Sequence, residues 1–290
     1  MKKTIKLHWC PIRNFGDALN PYLFSKLSGC KVVYRNYTNP DYWLELKVLI
    51  KSVLCLRRYD WNRLRPYNAQ EEVVLGVGSL LDRCRKNFVV WGAGYMNCFE
   101  RAEGGTLLAV RGRFSAEKLH EEGFPYCSVW GDPALLLPLV YHPRREKERE
   151  VGIIPHLKEL CEFKSRYPDR VIGLRTEKIE WVIDRILECR FIVSTSLHGV
   201  IVAHAYGVPA IWVKYGDIDT DGIKFRDYFD SVGIAPYEGY DIEEVLPCLE
   251  SFFKEHSRQA LPCPERICTI RTELLKVAPF QVLEKYSVQE

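Results

Sequence analysis

The 290-residue chain predicts an α/β fold of two successive strand–helix series whose strand-end loops face a shared cleft. Three observations carry this. Short apolar, β-prone runs alternate with helical stretches along the chain. Glycine-bearing turns follow several strands: GVGS at 76–79, WGAGY at 91–95 and RGRFS at 111–115. One polar charge run, HPRREKERE at 142–150, divides the two series and reads as a linker. The boundaries are 1–145 for the first domain, 150–263 for the second and 264–290 for a C-terminal helical segment.

Taken in order, residues 4–9 form a strand and a helix runs from Asp17 to about Leu27. Asn14, Gly16 and Asp17 occupy the turn between them. Asp17 either caps the helix or faces the cleft as a proton acceptor for a hydroxyl. Lys31–Tyr34 is the second strand. Residues 44–56 read as an amphipathic helix, followed by Arg57, Arg58, Arg63 and Arg65. The first reading of this region is a cover helix with a solvated loop. The second is a surface that meets a membrane-borne substrate or anionic lipid heads. Strands follow at 73–77, 88–91 and 107–111. Their glycine turns are not dinucleotide fingerprints, yet each requires backbone to pass close to something. Arg111 and Arg113 flank Gly112 before a helix at 115–122, where they either clamp an anion or form surface salt bridges. A short strand at 126–130 leads to Asp132, which caps the next turn or orients a reacting group.

The second series has strands at 150–154, 171–174, 190–193 and 210–213 and helices at about 157–166, 177–188 and 198–206. Trp181, Ile183 and Ile186 mark the apolar side of the middle helix. In the stretch 189–214, Ser194, Thr195 and Ser196 open a short helix whose first turn holds His198. Such a helix start presents free N–H groups and a positive dipole end, a seat for phosphate or carboxylate. Lys214 ends the next strand on the same sheet edge, where open parallel sheets bind their ligands. His204 lies about 600° further round the helix and reads as core. His156 follows a strand end and is a candidate cleft residue. The loop DIDTDG at 217–222 resembles part of a calcium loop but lacks its bidentate acid near Tyr228, so no metal is expected. Lys224, Arg226 and Asp227 open an aromatic helix; helices are expected at 241–256, 264–277 and 280–286.

Composition narrows the classes. A 47% hydrophobic content supports a sizeable core, and a net charge of +3 argues against a nucleic-acid binder. No apolar run reaches the roughly 18 residues of a membrane-crossing helix, and the N-terminus reads as a strand, not a signal peptide. Eleven cysteines without zinc or CxxC spacing suggest reduced thiols in the cytosol, most of them small buried hydrophobes.

NFGDALNPYL (14–23), VVWGAGY (89–95), AVRGRFSAEKLHEEGF (109–124), WGDPALLLP (130–138), IIPH (153–156), STSLHGVIVAHAYGVPAIWV (194–213) and KFRDYF (224–229) together resemble the polysaccharide pyruvyl transferase family, over roughly residues 10–230. The resemblance implies a GT-B-like fold, two Rossmann-like domains facing across a cleft, acceptor side first. It implies transfer of the pyruvyl group of phosphoenolpyruvate to a sugar of a surface polysaccharide precursor, forming a cyclic ketal and releasing phosphate. His198 would be the general acid and Asp17 or Asp132 the base. The donor would be held by Arg111, Arg113, Ser194, Ser196, Lys214 and Arg226, and the acceptor by Asn14, Gly16, Gly94 and His156. Many members carry arginine where Ser196 stands in S-T-S-L-H, so other cations must supply that charge here. The partners implied are phosphoenolpyruvate as co-substrate and a lipid-linked glycan, with no cofactor, metal or nucleic acid. The location is the cytoplasm, with peripheral contact at the inner face of the membrane. The alternatives are a GT-B glycosyltransferase using a nucleotide sugar and a glycan-binding homologue without a donor.

Overall fold

A computed structural model describes residues 4–216 and 220–287. The first half contains β1 (Thr4–His8), α1 (Phe15–Ser28), β2 (Lys31–Tyr34), α2 (Tyr42–Leu54), β3 (Val73–Leu75), β4 (Phe88–Trp91), β5 (Thr106–Ala109) and α3 (Arg113–Glu121). Its strands form one parallel sheet in the order β2-β1-β3-β4-β5. A 3₁₀ turn at Pro133–Leu136 and the short α4 (Leu137–Val140) lead to the second half.

There the chain forms β6 (Arg149–Ile154), α5 (Leu160–Arg166), α6 (Ile179–Leu187), β7 (Cys189–Ser194), α7 (Leu197–Ala205), β8 (Ala210–Lys214) and α8 (Ile223–Ser231). It continues through β9 (Tyr240–Asp241), α9 (Ile242–Val245), α10 (Leu249–Glu255), α11 (Ser257–Ala260) and α12 (Pro264–Lys276). The second sheet is also parallel, in the order β6-β7-β8-β9. Val171 bridges Ile153 on the free side of β6. With that bridge counted, both sheets share one spatial order, in which the second chain segment lies outside the first and the third lies on its other side. In such sheets the direction of winding reverses beside the first strand, and the crevice at the strand ends there is the natural ligand position.

Several expected elements shrink. Residues 126–130 contribute a single bridge, Val110 to Trp130, and 171–174 only the bridge at Val171. The helix expected at 241–256 breaks into α9, a 3₁₀ turn at Leu246–Cys248 and α10, because Pro247 cannot continue a regular helix. Of 280–286, only Glu284–Tyr286 is helical. Trp181 is exposed; the buried face of α6 is Ile179, Val182, Ile183 and Ile186. Most cysteines are not core residues: six of the eleven are exposed, and Cys84, Cys127 and Cys189 are buried. Of the 44–56 region, α2 covers the protein with Glu45, which is buried, and the half-buried Val48, Leu49 and Ser52, and leaves Trp43, Leu44, Leu46, Ile50 and Leu54 exposed.

One apolar core runs through both halves, joining Leu7, Phe24 and Leu135 to Val200, Ile201 and Ile270. The last helix returns the chain to the first sheet. Trp91 Nε1 donates to Leu274 O at 3.0 Å, Arg271 Nε donates to Leu135 O at 2.7 Å, and Phe280 packs on Phe24 and Trp91. The strand-end loops of the halves are therefore in contact with one another. Among the described residues, no helix is long and apolar enough to cross a membrane.

Candidate active site

The two sheets bring their reversal points together. From the first come the loop after β1, with Cys10, Asn14 and Asp17, and the GVGS loop after β3. Asn20 on α1 fixes the latter: its Nδ2 donates to Val77 O at 2.8 Å and its Oδ1 accepts from Val77 N at 2.9 Å. From the second come His156 and Glu159 after β6 and Thr195, Ser196 and His198 after β7. The point of contact is Gly16 against His198. A Cβ at residue 16 would lie 2.3 Å from His198 Nδ1, so only glycine admits the ring there.

α1 begins at Phe15, two residues earlier than expected, with Asn14 as its cap residue. Asp17 does not cap it. Its carboxylate folds back over the loop, accepting from Asn14 Nδ2 at 2.6 Å and Cys10 N at 3.1 Å. Burial raises its pKa to about 6, against the opposing pull of those bonds and of Arg83. Asp17 is thus ionised at neutral pH yet more basic than an ordinary carboxylate.

The opening of α7 is built from its own hydroxyls. Ser194 Oγ reaches Ile154 O at 2.9 Å and Ser196 O at 2.8 Å, and accepts from Ser196 N at 3.0 Å. Ser194 therefore shapes the turn and does not face a ligand. Ser196 is the cap residue and makes no side-chain capping bond. Thr195 joins the two loops: its Oγ1 accepts from His156 N at 2.7 Å and donates to Glu159. Burial raises the Glu159 pKa, with Lys224 among the groups opposing the rise.

His198 is half-buried, and its Nε2 is shielded from solvent without a hydrogen-bond partner. Glu159 Oε1 is buried and unpartnered in the same way. Buried polar atoms normally find partners, so two orphans at one strand-end crevice mark a place where a ligand can bond. Burial, then Arg111, then Lys224 lower the His198 pKa to about 3. The free protein thus holds a neutral imidazole on which the charges of Arg111 and Lys224 act.

The cations differ from those expected. Arg111 is fully buried, its Nε on Asp227 Oδ2 at 3.1 Å, Nη1 on Ser79 Oγ at 2.8 Å and Nη2 on Tyr95 O at 2.6 Å. It acts on the site as a fixed charge. Arg113 lies outside: its Nη2 pairs with Asp230 Oδ1 at 3.0 Å and its Nη1 with Glu117. Lys214 and Arg226 both pair with Glu238, beside a separate cavity of about 230 Å³ lined by Trp212, Thr220 and Phe225. The expected trio of Arg111, Arg113 and Lys214 is therefore not assembled, because carboxylates of α8 and of the β9 approach hold two of its members elsewhere. Lys224, buried in the first turn of α8, supplies the second cation acting on His198.

Two further expectations are corrected. Asp132 is fully buried, its Oδ1 capping Ala134 N at 2.9 Å and its pKa raised by burial to about 6; it has no route to a substrate hydroxyl. Gly94 makes room for the protein itself, since a Cβ there would lie 2.4 Å from the Arg111 guanidinium. His204 is core, as expected, with its ring on Tyr228 OH and the carbonyls of Ala210 and Ala260. Of the DIDTDG loop, residues 217–219 lie outside the described residues; Asp221 accepts from Cys98 N at 2.6 Å and Ile223 N at 3.0 Å. Glu159 was not singled out in the sequence, and Lys224 was named only as opening the aromatic helix, not as a site residue. Glu159 lies five residues beyond the end of β6, a position where an acid could have been noticed. The burial of Lys224 has no counterpart in its local sequence.

A protein described as uncharacterized from Acanthamoeba polyphaga mimivirus is 32% identical over 175 residues. Those residues are 54% of this chain and 59% of that relative, so the chain spans a little over half its length. The sequence profile of the polysaccharide pyruvyl transferases matches residues 14–217, more than half of the chain, from the α1 loop that meets His198 to just beyond β8. The chain belongs to the polysaccharide pyruvyl transferase family.

Proposed function

We propose that the protein transfers the pyruvyl group of phosphoenolpyruvate to a sugar of a lipid-linked surface polysaccharide precursor, closing a cyclic ketal and releasing phosphate. The observation that carries this reading is the orphaned His198 Nε2 at the α7 helix start, beside Arg111 and Lys224. A small, multiply charged anion suits a helix start whose dipole faces it, with Lys224 as the second cation and Arg111 held by Asp227 behind it. The two Rossmann-like halves serve as the lobes of a GT-B-like arrangement, with the acceptor on the Asp17 side.

The chemistry follows from the charges. The negative charge of a bound trianion, together with its offset of Arg111 and Lys224, raises the His198 pKa against the burial that chiefly lowers it, and in this reading the ring takes up a proton. Protonated His198 delivers that proton to the methylene carbon of the donor, making the adjacent carbon oxocarbenium-like. A sugar hydroxyl attacks that carbon and its proton passes to Asp17. A second hydroxyl forms the other C–O bond as the bond to phosphate breaks, and its proton leaves with the phosphate. Two C–O bonds form, one breaks, and no redox partner is needed. Glu159, protonated more readily than an ordinary carboxyl, is the second candidate for the proton donor.

A thermal-shift donor screen tests the reading. Phosphoenolpyruvate at 100 times its Kd stabilises by about 2.7 kcal/mol, a rise in Tm of a few degrees for a chain of this size. Stabilisation by UDP or GDP and not by phosphoenolpyruvate would point instead to a nucleotide-sugar glycosyltransferase. Glycan binding with no response to either donor would point to a binding protein.

A further inference from the structure

We infer that α2 is an interfacial helix that docks the protein on a bilayer surface rich in anionic lipid. This inference is independent of the transfer reaction. A surface helix of a globular protein normally turns its apolar side chains inward. α2 does the reverse. Glu45, Val48, Leu49 and Ser52 face the protein, while Tyr42, Trp43, Leu46, Ile50, Val53 and Leu54 are exposed on an arc of about 120°, with Leu44 exposed beyond Lys47 and Lys51. Trp43 and Leu54 are each 78% exposed, and Leu56 just beyond the helix is 97% exposed.

The helix is nevertheless firmly seated. Asp41 caps it, accepting from Trp43 N at 3.0 Å and Leu44 N at 3.1 Å. Glu45 accepts from Arg63 Nε at 2.7 Å, Arg63 Nη2 at 2.8 Å and Tyr59 OH at 2.7 Å. The exposed stripe is therefore presented by a fixed scaffold. Isolated exposed apolar residues are ordinary, but a contiguous stripe on one helix marks an interaction surface.

Charge identifies the occupant. Lys47 and Lys51 flank the stripe, and Arg57 and Arg58 follow it, all exposed. The only acid between 42 and 58 is Glu45, which is turned inward and paired. Tryptophan, tyrosine and leucine beside an uninterrupted set of cations match the headgroup boundary of an anionic membrane. A second copy of the chain is a poor match, because a symmetric contact would bring the same four cations against one another.

Vesicle flotation with the full chain tests this, comparing phosphatidylcholine vesicles with vesicles that also contain phosphatidylglycerol. The protein floats with the anionic vesicles, the bound fraction falls as salt is raised, and neutral vesicles carry little. Each of Lys47→Glu and Lys51→Glu weakens the apparent affinity at least about fivefold. Trp43→Glu with Ile50→Glu abolishes flotation with Tm unchanged or raised, which a core-covering helix would not allow. No binding to anionic vesicles, or binding indifferent to these substitutions, overturns the inference. So does a dimer that the Trp43→Glu, Ile50→Glu pair dissociates, in a protein that binds no vesicles.

Discussion

Gly16 and His198 meet with no room for a methyl group between them, which makes residue 16 a sensitive position in the site. In Gly16→Ala the new Cβ would fall 2.3 Å from His198 Nδ1. The ring must turn or the loop must shift, at about 1–3 kcal/mol of stability. The expected outcome is a modest fall in Tm with a disproportionate loss of donor response in the thermal-shift screen. Unchanged donor response would mean that the contact does not position the imidazole. The sequence did reveal Gly16, Asp17 and His198, because each stands at a strand-to-helix junction with a local signature. It did not reveal which cations surround His198. Arg113 is held by Asp230, 117 residues further along the chain, and Lys224 is buried at the start of α8. The first outcome depends on a side chain far away in the chain.

At the scale of elements, strands paired along their length within a sheet were legible nearly to the residue, as at Lys31–Tyr34 and Phe88–Trp91. Residues 126–130 and 171–174 were not, since each lies at a sheet edge and forms only one bridge. Periodicity located α2 but not its orientation. A helix with an apolar stripe reads the same whether the stripe faces a core or the outside; the largely buried Glu45–Arg63 pair turns this stripe outward. The glycine turns were legible as sites of close approach but not as to what approaches. At Gly94 it is Arg111, and at Gly112 it is the Asp227 carbonyl of the other half, 2.0 Å from where a Cβ would be.

Across the whole molecule, the Arg111–Asp227 pair joins the halves at the floor of the site. Both side chains are fully buried, and Asp227 also accepts from Ser115 N at 2.9 Å and Ser115 Oγ at 2.6 Å. Removing one partner leaves the other charge buried alone. Asp227→Ala is therefore expected to lose about 3–5 kcal/mol in denaturant titration. A loss below about 1 kcal/mol would show that the halves do not depend on this junction. The shared core and the return of α12 to the first sheet suit a molecule whose two strand-end crevices must hold a fixed relation.

The account rests on an anion bound next to a neutral, depressed histidine, and calorimetry of phosphoenolpyruvate binding addresses that directly. Titrations at one near-neutral pH, in buffers of different ionisation enthalpy, count the protons taken up. The free-state His198 pKa of about 3 means that the ring is unprotonated before binding. The charge of the bound donor and its offset of the cationic neighbours move the pKa upward, against the burial that chiefly lowers it; the expected result is proton uptake on binding in wild type that is absent in His198→Ala. Binding whose proton count is the same in wild type and His198→Ala would contradict the account and pass the donor role to Glu159. Absence of binding in both would remove phosphoenolpyruvate from the site.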